Sequence, residues 1–390
     1  MKNNIFISFI LVDVLLILVF VFDIGKPQSS PLAAAQRISA TCLKNDKYQD
    51  CLGEEFASLV EPYGFSFMKD ALRHFQNIDV STRNCHVIGH KITQKLTNRD
   101  PERWLEILDQ IDPSGCGGGF MHGVLEVKTG IDTDFEITRA TFEEICKKSY
   151  SNGPDTSCAH ILGHLTLFQK EGNLESALEV CTGLSGNYLF ECYGGIFMED
   201  SFRTNFVDHG LEAPPIRNKD WFLKQLARCK KYNTLEYVEA GCFYDLAEVA
   251  AQVNDYVAKG AYEVCLNQTR WPQSKERCYV RASYIVATAP IPKIDNMDFS
   301  ELCGLFPENG KVEQKCINET VGALMSYSLN FIDRANAFCK TRDANNREMC
   351  FSRIRGEIVS EISLPEEREQ FCLRLPAPYR RNCSMPLETP

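Results

Sequence analysis

Along most of this chain apolar side chains return every three or four residues, the spacing of one face of a helix, and no useful length alternates as a half-buried strand would. The clearest stretch runs from Cys158 to Phe168, passes Gly172 and Asn173, and resumes from Leu174 to Cys181. There Leu174, Ala177, Leu178 and Cys181 stand at 3, 4 and 7 spacing. Later copies run Cys242 to Val253 then Tyr256 to Cys265, Cys278 to Ala287 then Phe299 to Cys303, Cys316 to Leu329 then Ile332 to Cys339, and Cys350 to Ile362 then Pro365 to Cys372. Each copy reads as two helices joined by a turn, a first (A) helix opening at one cysteine and a second (B) helix closing at another. The closing cysteines 229, 265, 303, 339 and 372 recur at a period of about 33 to 38 residues, a length that marks stacked helical hairpins. The pattern therefore predicts an all-α fold, a disulfide-stapled α-solenoid.

Eighteen cysteines in 390 residues sharpen this reading. Most fall in local pairs, one at the end of a B helix and one opening the next A helix: Cys42/Cys51, Cys146/Cys158, Cys181/Cys192, Cys229/Cys242, Cys265/Cys278, Cys303/Cys316, Cys339/Cys350 and Cys372/Cys383. There is no CxxC, so zinc-ribbon and c-type haem sites lack their signature. Even, locally paired cysteines at this density belong to an oxidising compartment. A staple over about ten residues stabilises by up to about 3 kcal/mol on the chain-entropy account. Cys85 and Cys116 follow B helices without a cysteine (Phe67 to Ile78, Trp104 to Ile111). They are expected to pair with each other; as free thiols they would instead offer a Cys/His zinc site or a reactive sulfur.

Ile5 to Phe22 is an apolar run broken only by Ser8 and Asp13 and preceded by Lys2. It is long enough to span a bilayer, and Val21 to Lys26 after it make only a poor small-residue cleavage site, which favours an uncleaved anchor over a cleaved signal peptide. Residues 1–26 are therefore expected to be a signal anchor, residues 27–40 a flexible stem, and the rest of the chain to lie outside the cytoplasm, at the cell surface or in a periplasm-like space. The repeats divide into 41–202, which carry histidines, and 220–390, with an insertion at 203–219 containing Pro214, Pro215 and His209. A formal charge of −10 without a long basic run argues against nucleic acid as a partner. Three N-glycosylation patterns occur, at Asn267, Asn318 and Asn382.

The chemistry gathers in the N-terminal repeats. Cys85-His86 leads to His90, Cys116 to His122 and Glu126, and Cys158 to His160 and His164, each with a couple four residues apart on one helical face. A fourth motif, Cys192 to Glu199 and Asp200, resembles the one at Cys116 with its histidine replaced. Inner helices packed about 10 Å apart would let these side chains meet in one groove. His86, His90, His122, His160 and His164 are the expected ligands of a divalent transition metal, whether zinc, iron, copper or manganese. Glu126 or Glu199 would serve as general base or further ligand. The pattern is not HExxH, since no acid lies between the histidines of either couple. The other reading makes the histidines hydrogen-bonded packing residues, duplicated along with the repeat.

Leu162-Gly163, followed by Gly172 and Ala177, resembles the layout of tetratricopeptide and Sel1-like repeats, in which small residues let paired helices cross closely. The resemblance covers the helical-hairpin organisation and not the aromatic and proline positions of those families. It implies a concave face lined by the A helices and assigns no functional residue. The histidine motifs are also similar to those of secreted Cys-rich proteins without an assigned activity. Two uses of the chain stay open at this level. One is a membrane-anchored metal-binding protein acting as a metal-dependent hydrolase or oxygenase-type enzyme. The other is a non-enzymatic scaffold binding a protein or cell-envelope partner in the concave groove. Tyr237, Phe243, Tyr244, Tyr279, Tyr284 and Tyr327 enrich the later A helices in aromatics, which read first as core packing and otherwise as a peptide- or glycan-binding groove.

Overall fold

The computed structural model describes residues 30–79, 82, 85–111, 115–131, 135–148, 157–203, 206–207, 215–289, 299–304, 310–327, 329–362, 365–381 and 383. The fold is all-α, and the only β pairing among these residues is an isolated bridge between Thr182 and Leu184. In chain order the helices are α1 (Pro31–Cys42), α2 (Tyr48–Ile78, broken at Gly64), α3 (His86–Arg99), α4 (Trp104–Gln110), α5 (Gly119–Ile131), α6 (Arg139–Lys148), α7 (Ser157–Gln169), α8 (Leu174–Cys181) and α9 (Gly186–Phe202). They continue as α10 (Lys219–Cys229), α11 (Glu236–Val253), α12 (Ala258–Gln268), α13 (Pro272–Ala287), α14 (Gly310–Tyr327), α15 (Ile332–Lys340), α16 (Ala344–Glu361) and α17 (Pro365–Leu373).

Local chemistry sets the helix ends. Ser30, Asn173, Asn218 and Asp343 each cap a first turn by accepting from a backbone N–H two or three residues on. Pro31 and Pro272 occupy first-turn positions that need no donor. Between α7 and α8 the chain turns through left-handed Glu171 and Gly172, and the Gly172 N–H bonds the Leu167 carbonyl at 3.0 Å. The repeating apolar faces form one core that takes in all nine disulfide staples.

The staples join Cys42–Cys51, Cys85–Cys116, Cys146–Cys158, Cys181–Cys192, Cys229–Cys242, Cys265–Cys278, Cys303–Cys316, Cys339–Cys350 and Cys372–Cys383. Cys85 and Cys116 are thus not thiols, which removes the Cys/His zinc alternative. The staple bridges the starts of α3 and α5.

The helices α3, α5, α7, α9, α11, α13, α14 and α16 form an inner row, each packed on the next, while α4, α6, α8, α10, α12, α15 and α17 lie behind them. The row does not end open as a simple solenoid would. Its last repeats return to its first, where His74 Nε2 on α2 meets Glu367 Oε1 on α17 at 3.0 Å, although the two are far apart in the chain. Met325 and Phe371 share a small cavity with Asp70, Arg73 and Phe120 at the same seam.

Three expectations of the sequence need revision. Residues 31–40 are not a flexible stem, because they belong to α1, which buries Ala34, Ala35 and Ile38 against α2. Several A helices start well before their cysteine: α9, α11, α13, α14 and α16 begin six residues ahead of Cys192, Cys242, Cys278, Cys316 and Cys350. The B helix expected over Phe299 to Cys303 is a short 3-10 turn, Phe299–Glu301, followed by left-handed Cys303. No helix among the described residues is long and apolar enough to cross a membrane. The Ile5–Phe22 run, and the anchor expected there, lie outside the described residues, so the fold lends membrane attachment no support. Of the 203–219 insertion, Arg203 stacks on Phe206 and Arg217 on Phe202, holding both of its ends near the end of α9.

Candidate functional site

The histidines sit where two pairs of inner helices cross at unusually short range. A Cβ on Gly195 of α9 would lie 1.9 Å from the His160 carbonyl oxygen of α7, and one on Gly119 of α5 would lie 2.2 Å from that of His86 on α3. Only glycine permits either approach. The same device, used twice, brings the second helix of each pair over the histidine couple of the first.

All five expected histidines come together. His122 lies in the middle, its ring centroid 4.6 Å from that of His90, 5.4 Å from His164 and 5.8 Å from His86, and the His160 ring is 4.9 Å from His164. His90, His122 and His164 are buried, as are Glu126 and Glu199, while His86 and His160 lie half-buried at the edge. Burial is the main force on their protons. It lowers His86 to about 4, helped by the neighbouring His90, and lowers His164 to about 3. It also drives His122 and His160 well below the ordinary imidazole value, with His90 and His164 respectively adding to the effect. These four rings are neutral at neutral pH, the form in which an imidazole offers a lone pair.

Carboxylates orient the rings. Glu126 Oε2 contacts His90 Nε2 and accepts from Gln94 Nε2 at 2.8 Å. Glu199 Oε2 lies 3.2 Å from His164 Nδ1, which places the His164 proton on Nδ1 and leaves Nε2 bare. His86 Nδ1 donates to the Gly117 carbonyl at 3.1 Å. His160 Nδ1 faces the Glu191 carboxylate, 3.6 Å away, and its Nε2 lies 3.3 Å from His164 Nε2. At that distance His160 Nδ1 makes no hydrogen bond, and a neutral His160 with its proton on Nε2 donates to the bare His164 Nε2. His122 Nε2 is buried and makes no hydrogen bond. Glu126 and Glu199, expected as bases or ligands, are each engaged by an imidazole, the arrangement of an orienting partner.

Among the described residues, no three His, Cys, Asp or Glu side chains already surround one point as a metal-binding group. Sequence reasoning overlooked Met198, whose Sδ lies 3.3 Å from His160 Nε2. Its signal was present in the register: Met198 stands six residues after Cys192, as His122 stands six after Cys116.

The cluster opens at His160 into a cleft of about 310 Å³ lined by inner helices from α7 to α14 and by Gly117 and Gly118 just ahead of α5. Its walls are braced by stacking. Arg277 lies 3.5 Å over the Phe190 ring, and Arg281 sits between Tyr244 and Tyr284 at 5.0 and 4.8 Å while reaching Glu248 at 2.8 Å. Of the aromatics that enrich the later inner helices, Phe243 and Tyr279 are buried core, the first reading of the sequence, whereas Tyr244 and Tyr284 line the cleft.

No protein-family model, curated protein or solved structure matched the chain.

Proposed function

We propose that this chain is an extracytoplasmic helical-repeat protein that binds a transition metal through His86, His90, His122, His160 and His164, with Glu126 and Glu199 orienting the rings. The observation that carries the reading is the spacing of the facing Nε2 atoms of His160 and His164. Two nitrogens bound about 2.0 to 2.1 Å from a tetrahedral ion lie about 3.4 Å apart, against 3.3 Å here. In the metal-free protein a neutral His160 with its proton on Nε2 bridges the pair, and a metal ion takes that place once the proton moves to Nδ1 beside Glu191. The cleft at His160 gives such an ion access to a ligand or substrate, so a metal-dependent enzyme is one use of the site. Zinc, iron, copper and manganese all accept imidazole. Nine disulfides agree with an oxidising compartment, and the Ile5–Phe22 run would hold the protein at a membrane facing it.

A second reading, a scaffold that binds a protein or envelope partner, draws on the braced arginine and tyrosine walls of the cleft. One experiment separates them: elemental analysis and metal titration of the oxidised protein, purified without a polyhistidine tag, beside a His160→Ala/His164→Ala variant. Near-stoichiometric metal that the variant loses is the expected result. A folded wild-type protein that takes up none of the four metals overturns the proposal and leaves the scaffold.

A further inference from the structure

We infer that Met198 is a metal ligand, and that His160, His164 and Met198 form a half-site selective for copper(I); this rests on the metal-binding reading above. Three features of the α7/α9 pair point there. In register, Met198 takes the place that His122 holds on α5, so the two crossings offer three imidazoles on one side and two imidazoles with a thioether on the other. In space, the thioether sulfur and the His164 nitrogen each lie 3.3 Å from His160 Nε2. Glu199 holds the His164 proton on Nδ1, and the His160 proton, once moved to Nδ1 beside Glu191, leaves both Nε2 atoms and the thioether as lone-pair donors.

Donor type then selects the ion. A thioether is a soft, neutral, weak ligand that favours copper(I) over zinc or manganese. All eighteen cysteines are in disulfides, so no thiolate competes for a soft metal.

The test is a copper(I) titration of the oxidised protein under anaerobic ascorbate, in competition with a chromogenic copper(I) chelator, alongside a zinc titration. Met198→Leu keeps the apolar volume and removes the sulfur. It is expected to weaken copper(I) binding by about 10- to 100-fold, the range typical for a disturbed metal site, while moving zinc affinity less than about 3-fold and leaving metal-free stability unchanged. Met198→His is expected to retain metal but reverse the preference toward zinc. X-ray absorption of the copper(I)-loaded wild type gives a readout that needs no variant: a sulfur scatterer at about 2.3 Å, which with every cysteine oxidised must be a thioether. Copper(I) bound with nitrogen scatterers alone, equal losses of copper and zinc in Met198→Leu, or a wild type that binds zinc but not copper(I) would each overturn the inference and leave the metal reading standing. A wild type that binds neither ion fails both.

Discussion

Replacing Gly195 by alanine places a methyl group 1.9 Å from the His160 carbonyl oxygen, 2.8 Å from its carbon and 3.0 Å from the His164 nitrogen. All three are backbone atoms of α7, so no side chain can swing away. A carbon against a carbonyl oxygen settles at about 3.3 Å or more, which requires the two helices to part locally by about 1.4 Å. Overpacking a tight interior contact costs about 1 to 3 kcal/mol, and a clash with rigid backbone belongs at the upper end. Gly194, one residue earlier on the same helix, is the control. Its Cβ would meet His160 Nδ1 at 3.4 Å, an ordinary contact, and alanine within a helix gains about 0.5 to 1 kcal/mol over glycine. The two neighbouring substitutions should therefore differ by roughly 3 to 4 kcal/mol. Urea unfolding without reductant measures the difference. Metal titration should in addition show weaker binding for Gly195→Ala, because the separation moves Met198 and Glu199 away from His160 and His164. Equal midpoints for the two variants would refute the argument that the close crossing builds the site.

Other outcomes follow from buried charge and from ligand linkage. His86 and His164 are lowered to about 4 and about 3 in the fold, so the unfolded chain takes up protons first as pH falls. Their contribution is complete above about 6.5 and is lost on going down toward 4 and 3, so the metal-free protein should lose several kcal/mol between pH 7 and pH 4; a His164→Gln variant with the same urea midpoint profile as wild type would count against this. Asp245, buried with Ser201 donating to it, is raised to about 7, chiefly by burial. The folded state then holds the extra proton, and stability declines as pH rises from about 4 to about 7. Asp245→Asn should consequently raise the urea midpoint at pH 8 and leave it nearly unchanged at pH 4, and the reverse order would show that the carboxylate is not protonated in the fold. The seam contact between His74 and Glu367 is partly exposed, so His74→Ala should cost no more than about 1 kcal/mol; a loss several times larger would mean that the pair, not the packing around it, closes the row. Adding the bound metal at about 1,000 times its dissociation constant should stabilise the fold by about 4 kcal/mol, and thermal melts with and without a chelator would detect it.

What the sequence determined by itself was local. Cysteines separated by only a short loop can reach little besides their neighbours, so the short staples follow from spacing, and a helical pattern that repeats with the period of a hairpin leaves little besides stacked helix pairs. The histidine couples were legible because four residues is one helical turn, which puts both rings on one face whatever surrounds them. Tertiary structure decided everything that depends on distance in space rather than along the chain. The return of α17 to α2 joins opposite ends of the row and leaves no periodic trace. The segment from Pro31 reads as a small-residue linker, yet it is helical because α2 offers it a face on which to bury Ala34, Ala35 and Ile38. Met198 looks like any apolar residue on an inner helix. Only the crossing at Gly195, which brings α9 down onto His160, puts its sulfur beside the His160 Nε2 nitrogen.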